Sequence, residues 1–265
     1  MRPSRIKAKL GRNEPVLVTT LHLTDSSVFE LTSLMGFDGI WMDMEHHTYS
    51  LETAAILMRA ARLGVSDIIA RPAKGEFMQM QRMLEAGAQG IMYPRCDDGE
   101  EAAEVVHWAK FAPQGVRGCD GANPDMPYLT MPLDEYVAAA NRETFIIIQI
   151  EPPHALERAE EIAAVEGIDI LFLGPGDFSI LSGIPGQFDH ELVQEATRRV
   201  GEAAQKAGKH WGRPSASPEQ TKELLEMGAR FICHQGDITM IKDALEQMQR
   251  DFAPLGFTFE GPLNS

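Results

Sequence analysis

Four short clusters carry the side chains with which this chain can do chemistry: Asp43-Met44-Glu45-His46-His47, Arg71-Pro72, Gln149-Ile150-Glu151 and Gly174-Pro175-Gly176-Asp177. Each follows an apolar run. Glu151 and Asp177 make a donor pair suited to a hard divalent cation whose coordination is completed by water and substrate oxygens. Arg71 offers a planar guanidinium that can hold an enolate or carboxylate oxygen facing such an ion. His46 and His47 belong to the side-chain type that titrates near neutrality, so one of them can carry a proton. Gly174–Gly176 reads as a backbone turn able to bring N–H groups toward a carboxylate. Each residue also has an ordinary reading. Asp177 can cap a helix, Glu151 can pair with a basic residue, Arg71 can sit in a surface ion pair, and the histidines can be solvated.

The value of these clusters depends on where the chain puts them. Eight strand-like runs alternate with amphipathic runs: Pro15–His22, Gly39–Glu45, Asp67–Arg71, Gly90–Arg95, Thr144–Glu151, Ile168–Leu173, Lys209–Arg213 and Arg230–His234. Between them Ser26–Met35, Leu51–Leu63, Glu76–Ala86, Gly99–Lys110, His154–Val165, His190–Ala207, Pro218–Met227 and Asp237–Gln249 place apolar residues near helical spacing. Ser50, Ser217 and Gly236 mark helix starts, and Gly64, Gly87, Gly208 and Gly228 mark helix stops. The pattern predicts a (β/α)8 TIM barrel, a single domain over 1–265 with a C-terminal tail at 251–265. Such a barrel gathers the residues just beyond its strands onto one rim, where groups scattered along the sequence converge on one substrate. A Gly/Pro-rich stretch from Phe111 to Pro132, followed by a short helix Leu133–Asn141, reads equally as a functional loop or a surface excursion. The tail, with Phe252, Leu255, Phe257, Phe259 and Leu263, is expected to pack on the barrel or on a neighbouring subunit.

Composition narrows the function. A net charge of −15 argues against nucleic acid and against an anionic membrane surface, both of which require clustered cations. Three scattered cysteines, Cys96, Cys119 and Cys233, form no disulfide framework or zinc knuckle, which points to a reducing cytoplasm. Met1–Leu10 is basic without a following apolar stretch, so a secretory leader is not expected, and no run approaches a membrane span. The His-Glu-x-x-His, Walker A, Gly-x-Ser-x-Gly and Cys-x-x-Cys patterns are absent, and no strand interior offers a Schiff-base lysine.

Taken in order, Gly36-Phe37-Asp38, Asp43-x-Glu45-His46, Arg71-Pro72, Pro113-x-Gly115-x-Arg117-Gly118, Gln149-Ile150-Glu151 and Gly174-Pro175-x-Asp177 resemble the HpcH/HpaI family of metal-dependent class II pyruvate aldolases. That family includes aldolases of the 4-hydroxy-2-oxoheptanedioate and 2-keto-3-deoxy sugar-acid types. The resemblance runs from about Val18 to Leu245. It implies that Glu151 and Asp177 hold Mg²⁺ or Mn²⁺, with Co²⁺ an alternative. Arg71 would contact the pyruvate keto or enolate oxygen, and His46 would be the acid/base, assisted by Asp43. Gln149 would support substrate or a metal-bound water, Gly174, Pro175 and Gly176 would hold the pyruvate carboxylate, and Glu45 would be a supporting partner. The implied partners are a 2-oxo acid and an aldehyde, and the implied assembly is a homo-oligomer, a hexamer or trimer of dimers that exchange C-terminal helices. His22, His47 and Arg213 depart from the family pattern and are candidate specificity residues for a polar or acidic aldehyde. An acyl-CoA lyase of the citrate-lyase type and a non-catalytic metabolite-binding barrel remain as alternatives.

Overall fold

Strands β1 (Val16–Leu21), β2 (Gly39–Asp43), β3 (Asp67–Arg71), β4 (Gly90–Tyr93), β5 (Phe145–Ile150), β6 (Ile170–Leu173), β7 (His210–Pro214) and β8 (Phe231–Gly236) pair in parallel, in chain order, and β8 closes on β1. The computed structural model describes residues 1–262; residues 263–265, including Leu263 of the expected tail, lie outside the described residues. All eight predicted strands are present. Their apolar runs are continuous because a barrel strand is covered on both faces. In β5 the alternation is explicit: Ile146, Ile148 and Ile150 pack among the surrounding helices, while Phe145 and Ile147 fill the barrel with Phe172 and Phe231. The same period of two places Gln149 on the inward face at the top of β5.

The helices α2 (Ser26–Leu34), α3 (Leu51–Ala61), α4 (Phe77–Ala86) and α5 (Gly99–Ala109) lie in the first half of the chain. After α6 (Leu133–Glu143) come α7 (Pro153–Leu156), α8 (Ala159–Ala164), α9 (Pro175–Leu181), α10 (Glu191–Lys206), α11 (Pro218–Glu226) and α12 (Asp237–Phe252). Ser50 and Ser217 cap α3 and α11 as expected, each accepting a first-turn N–H. Gly36, Gly87 and Gly228, which follow helices, adopt φ of 89°, 124° and 95°. Gly64 serves a different purpose, since a Cβ there would stand 2.3 Å from the Ser33 carbonyl carbon. Ser33 in turn donates to Ala61 and accepts from Ser66, so α2 and α3 are knitted through a contact that only glycine permits.

Three features differ from the sequence reading. The expected helix His154–Val165 is two helices, α7 and α8, interrupted where Arg199 of α10 takes the Leu156 carbonyl and the Glu157 carboxylate. A short helix α1 (Arg5–Leu10) inserts Ile6 and Leu10 into the barrel interior, and Asp67 holds it by accepting from the Ile6 N–H and the Ser4 hydroxyl. The basic residues that stood out at this end are spent on structure: Arg5 and Lys9 pair with Asp38, and Lys7 pairs with Asp169. Helix α9 was read only as a turn.

The Gly/Pro-rich stretch lies with α6 in the connection from α5 to β5, which assigns it to the face opposite the C-terminal ends of the strands. Phe111 and Met126 pack on Tyr136 and Ala140 of α6, and Arg117 is buried against Asp125 at 2.8 Å. It is a structural excursion. Beyond α12 a 3₁₀ turn, Ala253–Leu255, leads into a tail in which Phe252 meets Phe257 edge to face. Among the described residues no helix is long and apolar enough to cross a membrane.

Gly64→Ala is expected to lower stability in urea titration by about 1–3 kcal/mol, the cost of forcing a methyl into packed backbone. Gly176→Ala, where nothing lies within 4 Å of the added Cβ, should leave stability unchanged or slightly raised.

Candidate active site

A cavity of about 540 Å³ opens at the C-terminal ends of the strands. One half of its wall comprises Trp41, His46, Arg71, Gln149, Glu151 and the Gly174–Asp177 turn. The other comprises Phe188 and Asp189, Arg213 to Ala216, and Gln220. Parallel strands bring the first group together, since β2, β3, β5 and β6 all end here.

Arg71 is the hub. It is 7% exposed, its Nε and Nη2 donate to the two Asp43 oxygens at 2.9 and 2.7 Å, and Nη1 lies 3.3 Å from Glu45 and donates to Gln149 at 3.3 Å. Its guanidinium also stands 4.7 Å from the Trp41 ring centroid. Burial alone would lower the Arg71 pKa, but Asp43 and Glu45 raise it. Burial pushes Asp43 up, and the paired bonds from Arg71, with the N–H groups of Glu45 and His46, more than reverse this and hold its pKa low.

Glu151 is 2% exposed and accepts from the Arg95 N–H at 2.9 Å and from Gln149 Nε2 at 3.3 Å. Gln149 therefore bridges Arg71 to Glu151. Arg95 reaches Glu151 from a left-handed conformation, φ 51°. Burial raises the Glu151 pKa; Arg71 opposes this and the charges of Asp177 and Glu45 reinforce it, leaving the carboxyl at about 7. Glu45 is raised for the same first reason, and its buried Oε2 has no hydrogen-bond partner. A Cβ at Gly174 would lie 2.1 Å from Glu151 Oε1, so this glycine is what lets the carboxylate pass beside the turn. Asp177 lies in the first turn of α9; the capping position belongs to Gly174.

The donor set was tested against a divalent cation. Among the described residues no group of three or more His, Cys, Asp and Glu side chains is gathered for a metal, so a transition-metal cage is not present. Two carboxylates on one cavity wall, with the Glu151 pKa raised, nevertheless suit an ion that keeps water and substrate ligands.

The histidines sort differently from expectation. His46 is on the cavity wall, its side chain about half exposed, and its ring Nε2 lies 3.6 Å from Glu45. Asp43, expected to assist that ring, instead accepts the His46 backbone N–H at 3.3 Å, because both its oxygens are committed to Arg71. His22 and His47 pack against each other as tilted rings, centroids 4.3 Å apart, and are not among the residues lining the cavity. Asp237 holds His22 through both the ring and the backbone, tying the end of β1 to the start of α12. Only Arg213 of the three candidate specificity residues reaches the cavity. Trp41, the Arg95 N–H and the Phe188–Asp189 loop were not singled out from sequence. The inward parity of Gly39, Trp41 and Asp43 along β2 was the available signal for the first; backbone donors and loop closure leave none.

The HpcH/HpaI aldolase/citrate lyase family model matches residues 20–241. A hydroxypyruvate/pyruvate aldolase of Delftia acidovorans is 31% identical, covering 90% of this chain and 88% of its own length. A 4-hydroxy-2-oxo-heptane-1,7-dioate aldolase of Shigella sonnei is 30% identical, with 93% and 94% covered. Among solved structures, an HpcH/HpaI aldolase from Desulfitobacterium hafniense is similar at a TM-score of 0.88 and 29% identity, covering 93% of this chain and 95% of that one.

The raised Glu151 pKa makes the stability of the metal-free protein fall with pH. Between about 4.5 and 7 the unfolded chain has lost the Glu151 proton that the folded chain still holds, so folding becomes less favourable across that window and stays so above it. Glu151→Gln should remove this slope and stabilise chelator-treated protein at pH 8 by on the order of 2 kcal/mol in denaturant titrations. Parallel pH profiles for the two proteins would show that Glu151 is not the source.

Proposed function

The chain belongs to the HpcH/HpaI aldolase/citrate lyase family, and from that premise we propose that it is a divalent-metal-dependent class II aldolase. It reversibly cleaves a 4-hydroxy-2-oxo acid to pyruvate, or a close 2-oxo acid, and an aldehyde. The observation that carries this reading is the clamped Arg71 guanidinium sharing one cavity with Glu151 and Asp177.

In this reading Glu151 and Asp177 hold Mg²⁺, Mn²⁺ or Co²⁺, which when bound supplies Lewis-acid stabilisation and a template for the 2-oxo acid. The carboxylate of the substrate meets the Gly174-Pro175-Gly176 turn, where the Gly176 N–H, followed by that of Asp177, is the natural donor because Pro175 has none and Gly174 donates to Ile150. Arg71 donates to the 2-oxo oxygen and stabilises the negative charge that develops there as the C3–C4 bond breaks. Asp43 keeps that guanidinium in place, and Gln149 holds Glu151 against it. His46 removes the C4 hydroxyl proton as the aldehyde forms, and Glu45 at 3.6 Å supports the resulting imidazolium. Protonation of the enolate carbon then gives the 2-oxo acid; addition runs the same steps backwards.

A homo-oligomer is part of the proposal. Ile238, Ile241, Leu245, Met248 and Phe252 recur along α12 at alternating spacings of three and four, and all are exposed. Such a stripe is what a helix presents to a second chain. Paired Ile241→Asp and Leu245→Asp substitutions should shift the protein to a smaller species in light scattering; an unchanged mass would remove α12 from the interface.

Pyruvate C3 hydrogen exchange, followed by NMR in deuterated water, tests the chemistry. Chelation should abolish both exchange and aldol cleavage, and Mg²⁺ or Mn²⁺ should restore them; full activity in metal-free enzyme would sink the metal's role. Arg71→Ala should lower both by roughly 10²–10³-fold. Asp43→Asn should lower exchange as well as cleavage, because Asp43 acts on Arg71. Loss of cleavage with normal exchange would instead return Asp43 to His46. Turnover of an acyl-CoA in place of the aldol would favour the citrate-lyase branch, and absence of any turnover the non-catalytic barrel.

A further inference from the structure

The hydrogen bonds of Arg71 run along the edges of its guanidinium: Nε and Nη2 to Asp43, and Nη1 to Gln149. The two bonds to Asp43 are short and share one edge, whereas the bond to Gln149, at 3.3 Å, is long. A group held in this way is fixed in direction but only weakly opposed in tilting about the Asp43 edge. What bears on it from another side is Trp41. Arg71 Cζ stands over the indole at 4.7 Å from the ring centroid, and the two residues are 7% and 8% exposed, so the contact is shielded from water. Indole is the best ring partner for a guanidinium, and the attraction grows as water is excluded.

The contact follows from strand register. Asp43 and Arg71 are cross-strand partners on β2 and β3, and Trp41 is the inward residue one pleat before Asp43. The Arg71 side chain therefore lies across β2, with its edge on one inward residue and its Cζ over the next. Trp41 is fixed in turn from within the barrel. Phe172 of β6 meets it edge to face at 5.9 Å, and Phe231 of β8 meets Phe172 in the same way at 5.7 Å. The indole Nε1 is buried and has no hydrogen-bond partner among the described residues. A buried donor left unpaired counts against the fold, so what Trp41 contributes here is the face of its ring.

We propose that Trp41 is a positioning residue for the reaction: its indole face holds the Arg71 guanidinium at the tilt from which a remaining N–H reaches the 2-oxo oxygen. This rests on the aldolase reading above and adds a residue that acts only through Arg71. Asp43 sets where the guanidinium sits and Trp41 sets its tilt. The column of aromatic rings ties that tilt to the barrel interior.

The experiment combines a spectrum with a rate. In protein labelled with ¹⁵N-arginine, the Arg71 Nε–H resonance, identified by its loss in Arg71→Ala, should be sharp and ring-shifted in the wild type and stay near that position in Trp41→Phe. In Trp41→Leu it should move to the range of free arginine or broaden away. In pyruvate C3 exchange with Mg²⁺ present, Trp41→Leu should lower kcat roughly tenfold with little change in KM, and Trp41→Phe, which keeps a ring without the N–H, should recover to within about threefold of wild type. In the Arg71→Ala background, Trp41→Leu should cost nothing further, because the two act as one unit. Equal losses in Trp41→Phe and Trp41→Leu would give the role to the indole N–H and overturn the proposal, as would a full further loss in the Arg71→Ala background. If Trp41→Leu does not fold, fluorotryptophans incorporated in place of tryptophan decide: the rate should fall with each added fluorine in the wild type and stay level in the Trp41→Phe background, and a level series in both overturns the proposal. A resonance indifferent to Trp41→Leu in active enzyme defeats this proposal alone. Absence of exchange in the wild type, with the resonance responding as stated, defeats the aldolase reading and leaves Trp41 as the group that positions Arg71.

Discussion

Burying the Arg71 guanidinium at the rim of the barrel carries a large desolvation cost, and the carboxylates gathered around it offset that cost. Asp43 meets it with two short bonds, Glu45 stands close, and Gln149 carries the connection on to Glu151. The compensation overshoots: Asp43, Glu45, Glu151 and Asp177 outnumber the single cation at this end of the cavity. Burial is the first cause of the raised Glu151 pKa and that excess adds to it, whereas Asp43, also buried, is held low by Arg71. Asp43 holds Arg71 directly, whereas Glu151 receives only an amide and a backbone N–H. A divalent ion between Glu151 and Asp177 would offset the excess, and this electrostatic argument is independent of any sequence likeness.

The parts of this site legible in the sequence were those fixed by period and position. A continuous apolar run such as Phe145–Ile150 marks a strand covered on both faces, and the residues that end it must then appear at the rim. Hence Arg71, Glu151 and Asp177 were placed correctly from their clusters. Partnerships were not legible. The family resemblance implied that Asp43 assists His46. A guanidinium arriving from β3 claims the carboxylate instead, and nothing in the Asp43-to-His47 segment announces it. The break between α7 and α8 was hidden for the same reason, since it is taken up by Arg199 more than forty residues later.

His22, His47 and Arg213 show the limit of reading a rim from strand ends alone. All three lie at or just past strand ends, yet the rim has an inside and an outside, and closure by later segments decides which outward residues still meet the cavity. His22 is drawn into the junction with α12 by Asp237, and His47 packs against it with its ring tilted. Arg213 points outward as well, but the Phe188–Asp189 loop extends the cavity over that side of β7. Position on the strand was common to the three; the covering loop was particular to one.

The two ends of the barrel treat charge in opposite ways. At the N-terminal end, α1 closes the interior and its basic residues are matched to acids: Arg5 and Lys9 to Asp38, and Lys7 to Asp169. Asp67, buried beneath the helix, accepts the Ser4 hydroxyl and the Ile6 N–H. Polar groups there fasten α1 across the end of the barrel. At the C-terminal end the groups are left out of balance, with excess negative charge beside Glu151. Buried imbalance is costly, and in an otherwise well-paired fold it persists where a ligand supplies what is missing.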